Sequence, residues 1–259
     1  MSDSTPYQDT NAPLKRDYFK SGTDLLSVSG QISSFGRKVV AGGLVEGNFG
    51  NISIRTDVCP RPGSSGPAEN GCASCGDFLT ITKTGTSLDE LDEESVITLP
   101  VTPDEKEKDL PNAAERQASS ELKVHRSIYR KTNAKAVLHV HAPYAVTMSI
   151  LEAEKGRDRV VPVDSEGILF LKEIPIVRGG IGTDELAKNA SEAFEKKKVK
   201  VVVVHGHGTF AVGETLRDAY IATVQAEHAA QIAYLCAVAK HLYRKAEKDE
   251  KKKNADNLK

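Results

Sequence analysis

Two pairs of histidines, each with one residue between them, close two apolar runs of the chain. His139 and His141 end AVLHVHAPYA, and His205 and His207 end VKVVVVHGHGTF. Side chains two positions apart on an extended chain point the same way, so both imidazoles of a pair can converge on one ion. Three histidines around Zn²⁺ with an open fourth position are typical of a catalytic site, where the metal polarises a carbonyl or enolate oxygen. The alternative is hydrogen-bonded core histidines, which we disfavour because burying several imidazoles without a shared partner costs desolvation.

A pair of hydroxyls followed by a carboxylate, Ser119-Ser120-Glu121, opens a helical pattern. The hydroxyls can cap the helix by accepting hydrogen bonds from its first backbone N–H groups. They can also bind a phosphate together with those N–H groups, while a carboxylate beside a metal can move protons. Both functions are compatible, and the segment alone leaves them open.

Two glycine-containing turns also fit an anionic ligand. One is GNFGN, which contains Gly50 and Asn51, and the other is KTGTS, which contains Thr84 and Gly85. Neither is a Walker or Rossmann fingerprint, and each alone is a weak signal that is more often a simple turn. Together they supply backbone donors, threonine hydroxyls and one lysine, so we predict a phosphate ligand.

Strand and helix patterns alternate along the chain without strict βαβ order. An apolar spacing predicts a first helix that ends at Gly42-Gly43. The predicted strands are Ile52–Arg55, Phe78–Thr82, Ser95–Val101, Ala136–His139, Val160–Val163, Ile168–Phe170, Pro175–Val177 and Val199–His205. The further predicted helices are Ser119–Lys131, Pro143–Leu151, Asp184–Lys197 and Glu214–Leu242. This order predicts an α/β fold, a three-layer α/β/α domain with a mixed central sheet.

The predicted organisation is one domain over residues 13–243, with a disordered N-terminus at 1–12 and a charged tail at 244–259. A loop insertion at about 57–76 is rich in Gly, Pro, Ser and Cys. It carries Cys59, Cys72 and Cys75, and three thiols are one fewer than a structural zinc site needs, so we favour plain loop thiols. Cys236 lies among Ala and Leu and is predicted to be in the core.

Composition limits the function classes. The 259 residues carry 35 Lys+Arg against 36 Asp+Glu, and this balance argues against a nucleic-acid or membrane-surface partner. No run of about 18 apolar residues exists to cross a membrane, and the N-terminus has no apolar signal-peptide core. We therefore expect a cytoplasmic enzyme that acts on small molecules.

Four segments together resemble the class II aldolase/adducin family. They are GNFGNISIR, TKTGTSLDEL, SSELKVHRSIYRKTNAKAVLHVHAPYAVTMS and VVVHGHGTFAVGETLRDAYIATVQAEH, which follow the family's order over about residues 20–242. The resemblance is greatest to the members that act on L-fuculose 1-phosphate. It implies a largely antiparallel central sheet, a homotetramer, and cleavage of a ketose 1-phosphate to dihydroxyacetone phosphate and an aldehyde through an enediolate.

The same resemblance assigns residue roles. His139, His141 and His207 would hold one Zn²⁺ per subunit, or another divalent metal, with His205 outside the ligand set, and Glu121 would be the general acid/base. The phosphate would be bound by Gly50, Asn51, Thr84, Gly85, Ser119 and Ser120.

Three departures from the family pattern bear on the substrate. They are the insertion, the stretch around residues 164–166 where the family has a protonating aromatic hydroxyl, and the charged tail. Within the family, dehydration of methylthioribulose 1-phosphate, 4-epimerisation of pentulose phosphates and a non-catalytic adducin-like module stay open as alternatives. Glu121 disfavours the epimerase, and the intact histidines disfavour the binding module.

Overall fold

The computed structural model describes residues 26–56, 77–102 and 112–256. The predictions for residues 1–12, for the insertion at 57–76 with its three cysteines, and for residues 257–259 lie outside these ranges. Within them, none of the helices is both long and apolar enough to cross a membrane.

Six helices and eight strands make up the described part of the chain, together with a short 3₁₀ turn at Glu115–Gln117. The helices are α1 (Val28–Ala41), α2 (Leu122–Lys131), α3 (Pro143–Glu154), α4 (Ser165–Phe170), α5 (Asp184–Lys197) and α6 (Leu216–Asp256). The strands are β1 (Asn51–Thr56), β2 (Phe78–Thr82), β3 (Val96–Pro100), β4 (Ala136–Val140), β5 (Arg159–Val160), β6 (Ile174–Val177), β7 (Val201–Val204) and β8 (Gly208–Gly213).

The strands form one sheet in the order β3-β2-β1-β4-β8-β7-β6-β5. Neighbouring strands are antiparallel except for β6 and β7, which are parallel. The predicted mixed, largely antiparallel sheet is therefore confirmed.

Helices cover both faces of the sheet, as the sequence of β7 requires. Its four valines are all buried, and alternate side chains of a strand point to opposite faces. Val201 and Val203 pack into a cluster with residues of α1, α3 and α6, whereas Val202 and Val204 pack into a second cluster with α2 and α5. A strand that is apolar on both faces needs a helical layer on each side, and the three-layer prediction is confirmed.

Strand β4 lies near the centre of the sheet between β1 and β8, and its pairing brings distant motifs together. Antiparallel pairing sets the first residue of β1, Asn51, opposite His139 near the end of β4. On the other side, His139 lies opposite Phe210. The GNFGN turn before β1 and the HGHG turn before β8 therefore meet at the end of β4, although they are far apart in sequence.

A second junction brings the KTGTS turn to the start of α2. The backbone N–H of Thr84 donates to the carbonyl of Gln117 at 2.9 Å, and the N–H of Ser119 donates to the carbonyl of Thr82 at 3.0 Å. These two bonds join the end of β2 to the Ser119-Ser120-Glu121 segment. The turn and the helix start consequently share one edge of the domain.

The prediction of a strand at Ile168–Phe170 is wrong. These residues end the helix α4, whose N-cap Asp164 accepts a hydrogen bond from the backbone N–H of Gly167 at 2.8 Å. Three consecutive apolar residues do not distinguish a strand from a short helix, and the capping aspartate is the signal that decided between them.

Other elements also differ from the sequence-based prediction. Strand β8 was not predicted because it begins and ends with glycine, which is unfavourable in strands. Of the predicted strand Val160–Val163, only Val160 lies in a strand, the two-residue β5. Cys236 is exposed on α6 rather than buried in the core. Helix α6 continues through the predicted charged tail to Asp256.

Candidate active site

Three histidines from two turns converge at the end of β4. The ligand atoms of His139, His141 and His207 all lie within 4.8 Å of one another, and His139 Nε2 is 3.2 Å from His141 Nε2. His139 is the next-to-last residue of β4, His141 follows it, and His207 lies in the turn between β7 and β8. His205 is not a member of this group.

Burial keeps all three imidazoles neutral. It lowers the pKa of His207 to about 4, lowers the pKa of His141, and holds the pKa of His139 well below its ordinary value, where the neighbouring histidines add to the effect. The Nδ1–H of His139 donates to the carbonyl of Thr209 at 2.9 Å, so the lone pair of His139 is on Nε2, which faces Nε2 of His141. A neutral imidazole whose other nitrogen is hydrogen-bonded is the form that binds metals.

The geometry of the three nitrogens fits a metal ion. Ligand nitrogens about 2.0–2.1 Å from a tetrahedral zinc are about 3.4 Å apart, close to the 3.2 Å between the Nε2 atoms of His139 and His141. Within the described residues, the buried Nδ1 of His207 also has no hydrogen-bond partner. A buried polar atom without a partner is costly, and a cation held by the three rings would offset that cost.

A buried carboxylate lies beside the histidines. Glu121 Oε2 is 3.7 Å from His139 Nε2 and has no hydrogen-bond partner among the described residues. Its Oε1 accepts one bond of 3.4 Å from the backbone N–H of Gly182. Burial raises the pKa of Glu121 to about 7, and the bond from Gly182 opposes this only in part. A pKa near neutrality suits a group that both gives and takes a proton.

Glu121 is the N-cap residue of α2, but its side chain does not cap the helix. Ser119 Oγ instead accepts a bond of 3.3 Å from the N–H of Glu121, and Ser120 is exposed. The structure therefore leaves the carboxylate available for other contacts. Of the two serines, only Ser119 therefore has a capping contact, and the backbone group that it accepts from is the N–H of Glu121.

All ten predicted site residues line one cavity of about 140 Å³. Besides the three histidines and Glu121, its walls include the six predicted phosphate-binding residues, which are Gly50, Asn51, Thr84, Gly85, Ser119 and Ser120. The volume is below the roughly 300–1,000 Å³ of pockets for drug-sized ligands, so it suits a small polar molecule.

Backbone conformation at this cavity requires glycine at two positions. Gly50 has a φ of 81°, and a Cβ there would lie 2.8 Å from the carbonyl oxygen of His139. At Gly208 a Cβ would lie 2.4 Å from the carbonyl of Val140 and 2.9 Å from the ring of His139. The glycines thus let neighbouring backbone approach the three histidines closely.

Two exposed apolar side chains at the cavity were missed from the sequence. Phe49 stacks on His141 with ring centroids 4.9 Å apart, and Ile181 lies beside Gly182. They are 57% and 63% exposed. Each is a single apolar residue in a glycine-containing segment, and nothing in that sequence pattern indicates a site residue. Exposed large apolar side chains at a cavity are nevertheless typical of ligand contacts.

A larger cavity of about 530 Å³ lies at the far edge of the sheet beside β6 and α5, but it contains none of these residues. Its ionisable lining side chains include Arg157, Asp158, Arg178 and Glu192. Of these two cavities, the one at the histidines is the better candidate active site because it combines the three-histidine group with a carboxylate of raised pKa.

Comparison with models of known protein families identifies the family to which this chain belongs. Residues 30–234 match the family model for the class II aldolase and adducin N-terminal domain. The chain belongs to this family, and it is an enzyme of the lyase class that the family's aldolases represent.

Among its relatives, the chain is 30% identical over 193 residues to an L-fuculose phosphate aldolase of Methanococcus maripaludis, covering 74% of this chain and 87% of the relative. It is 30% identical to a 5-deoxy-D-ribulose 1-phosphate aldolase of Bacillus thuringiensis, covering 79% and 83%. The crystal structure of L-fuculose-1-phosphate aldolase from Thermus thermophilus is similar, with a TM-score of 0.65 and 28% identity over 83% of this chain and 96% of that one. Matches also include a probable bifunctional isomerase and methylthioribulose-1-phosphate dehydratase, and a 3-oxo-tetronate 4-phosphate decarboxylase.

The two histidines of the HGHG turn provide a matched test of the metal site. We expect His207→Ala to lose bound metal and His205→Ala to keep it, because only His207 belongs to the three-histidine group. Metal content of the two purified variants, measured by elemental analysis, checks this. Full metal occupancy in His207→Ala would transfer the ligand role to another residue.

Burial of Glu121 predicts a pH-dependent cost in the metal-free protein. Its folded pKa of about 7 lies above its ordinary 4.5, so ionisation favours the unfolded chain, and stability falls as pH rises from about 4.5 to 7. Glu121→Gln removes this titration. We expect the variant's advantage in free energy of unfolding to grow through that range to about 3 kcal/mol and then stay constant.

Denaturant unfolding of both metal-free proteins at several pH values measures that difference. The buried histidines titrate in both proteins and cancel in the comparison. A difference that is independent of pH would show that Glu121 is ionised at an ordinary pKa.

Proposed function

We propose that the protein is a zinc-dependent aldolase that cleaves a ketose 1-phosphate, such as L-fuculose 1-phosphate, to dihydroxyacetone phosphate and an aldehyde. The observation that carries the proposal is the composition of one cavity. Three neutral histidines and a carboxylate with a pKa of about 7 line it together with glycine turns, hydroxyls and a helix start. Relatives that are aldolases of sugar phosphates support the reaction class.

His139, His141 and His207 would hold the metal ion. When bound, Zn²⁺ supplies Lewis-acid polarisation of the substrate's carbonyl and adjacent hydroxyl oxygens. The hydrogen bond from His139 Nδ1 to Thr209 orients that ring, and the stacking of Phe49 restricts His141. These contacts set the ligand positions before substrate arrives.

Glu121 would move the proton of the reaction. Ionised Glu121 would take the proton from the hydroxyl of the carbon that becomes the aldehyde. As the carbon–carbon bond breaks, the electron pair would stay on the fragment that carries the phosphate, an enediolate, and the carbon of that fragment would then take the proton from Glu121. The raised pKa keeps a fraction of the carboxyl groups protonated at neutral pH. Oε2 is the reacting atom in this proposal, since Oε1 is held by Gly182 and Oε2 has no partner among the described residues.

The phosphate would lie against the two turns and the start of α2. Thr84 and Ser120 offer exposed hydroxyls, Gly85 adopts a left-handed turn, and Lys83 contributes a positive charge to the same wall. The positive end of the helix dipole favours an anion there. Phe49 and Ile181 give the mouth an apolar wall for the variable end of the substrate.

A second candidate is dehydration of a methylthioribulose 1-phosphate-like substrate, favoured by the dehydratase among the relatives. The decarboxylase relative adds loss of CO₂ to the reactions found in this family. The same carboxylate can serve all three reactions, which differ in the group that leaves. The products therefore have to be measured.

We also expect a homotetramer. An exposed apolar strip supports assembly, comprising the large hydrophobic residues between positions 161 and 170, namely Val161, Val163, Ile168, Leu169 and Phe170, which are 48–68% exposed. Such a patch is typical of an interface.

Light scattering of the purified protein measures this assembly, with a mass near four chains expected. Leu169→Glu should lower the mass, because it buries a charge in the interface, whereas Lys200→Glu at an exposed site outside the strip should not. A monomeric wild-type protein would contradict the proposal.

The function is tested by metal analysis together with product detection. We expect one zinc per chain and release of dihydroxyacetone phosphate from a panel of ketose 1-phosphates. Release of water or CO₂ without that product would favour the dehydratase or decarboxylase alternative. A protein without metal would remove the proposed mechanism.

Glu121→Gln is the matched variant for this assay. It keeps the size of the side chain and removes its proton transfer, so turnover should fall about 10²–10⁴-fold while metal content stays unchanged. Turnover at the wild-type rate with metal bound would exclude Glu121 from the mechanism.

A further inference from the structure

A chain of buried hydrogen bonds runs from the cavity wall into the core. His125 Nε2 lies 2.6 Å from Asn51 Oδ1, and His125 Nδ1 lies 2.7 Å from Ser53 Oγ. The hydroxyl of Tyr129 is 2.8 Å from Ser53 Oγ and 3.0 Å from the carbonyl of Ser53. Only Asn51 of these four residues lines the cavity.

One set of proton positions satisfies the whole chain. His125 is completely buried, and burial lowers its pKa to about 3, so the ring is neutral and carries one N–H. Its Nε2–H donates to Asn51 Oδ1, and its bare Nδ1 accepts from the Ser53 hydroxyl. Tyr129 then donates its proton to the oxygens of Ser53. Because the amide oxygen of Asn51 can only accept, this contact requires the Nε2–H tautomer, which the Ser53 hydroxyl stabilises by donating to Nδ1.

This arrangement determines which end of the Asn51 amide is available to a ligand. Oδ1 is occupied by His125, so Nδ2 is the end of the amide that remains for a ligand in the cavity that Asn51 lines. An amide nitrogen donates two hydrogen bonds, and phosphate oxygens only accept them. If the amide turned over, its oxygen would face the anion and repel it.

We propose that His125 is a positioning residue, which holds the Asn51 amide so that Nδ2 donates to the phosphate of the substrate. Ser53 and Tyr129 anchor the histidine in turn. The inference rests on the phosphate site of the proposed function but does not depend on the reaction that follows. It assigns a function to a buried polar chain whose side-chain hydrogen bonds run from Asn51 through His125 to Ser53 and Tyr129, rather than to the three histidines or the Glu121 carboxylate.

Binding of inorganic phosphate to the zinc-loaded protein, followed by calorimetric titration, tests the proposal without turnover. Two substitutions of His125 differ in reach. In His125→Gln the amide nitrogen can reach the position of Nε2, whereas in His125→Asn the shorter side chain reaches only that of Nδ1. We expect phosphate to bind about tenfold more weakly to His125→Asn and near wild-type strength to return in His125→Gln. Metal content should be the same in both.

A double-mutant cycle separates positioning from a general structural role. Asn51→Ala alone should weaken phosphate binding at least as much as His125→Asn, and adding His125→Asn to it should have no further effect. Additive losses, or equal losses in His125→Asn and His125→Gln, would overturn the proposal. So would wild-type protein that does not bind phosphate.

Ser53→Ala is a milder variant if the substitutions of His125 prevent folding. This substitution removes the hydroxyl that donates to Nδ1 of His125 and stabilises its Nε2–H tautomer. We expect phosphate to bind about threefold more weakly to Ser53→Ala. Unchanged binding in Ser53→Ala would contradict the anchoring step. Phosphate binding that follows these expectations in a protein without aldolase activity would leave the positioning role intact and reject only the proposed reaction.

Discussion

The pairing of β4 with β1 and β8 is the constraint on which the rest of the site depends. It fixes His139 between the two neighbouring strands, opposite Asn51 on one side and Phe210 on the other. One side of the pairing brings the GNFGN turn, and the other brings His207 and the carbonyl that orients His139. A shift of one residue in this register would turn His139 to the opposite face of the sheet, away from α2 and Glu121.

Burial then gives the assembled groups their chemistry. The same desolvation that lowers the pKa values of the histidines raises that of Glu121, because burial disfavours the charged form of each. Neutral imidazoles are metal ligands, and a carboxyl group near its pKa transfers protons in both directions. One physical effect thus prepares two different functions, although it makes the metal-free site costly to keep.

The sequence predicted those parts of the fold and site that have a local signal. Spacing within the chain was sufficient for His139 and His141, for the strand before them and for helix α5 between Asp184 and Lys197, whose bounds agree with the structure. The sequence-based prediction failed for elements whose structure depends on contacts with residues distant in the chain. The apolar residues Ile168–Phe170 match the pattern of a strand as well as that of a helix. Strand β8 begins and ends with glycine, which is unfavourable in strands, and it is stabilised by its pairing with β4 and β7. Phe49 could be recognised only after the pairing had placed it on His141.

The hydrogen bonds behind the cavity explain why a helix contributes more to this site than its first residues. Helix α2 follows Glu121 and carries His125 one turn later and Tyr129 one turn after that, because residues four apart share a helix face. That face lies on the part of β1 that holds Asn51 and Ser53. The helix therefore links the carboxylate beside the three histidines to the Asn51 amide in the cavity wall. Since both groups depend on the position of one helix, a displacement of α2 would disturb the carboxylate and the amide together, and the buried polar contacts with β1 oppose such a displacement.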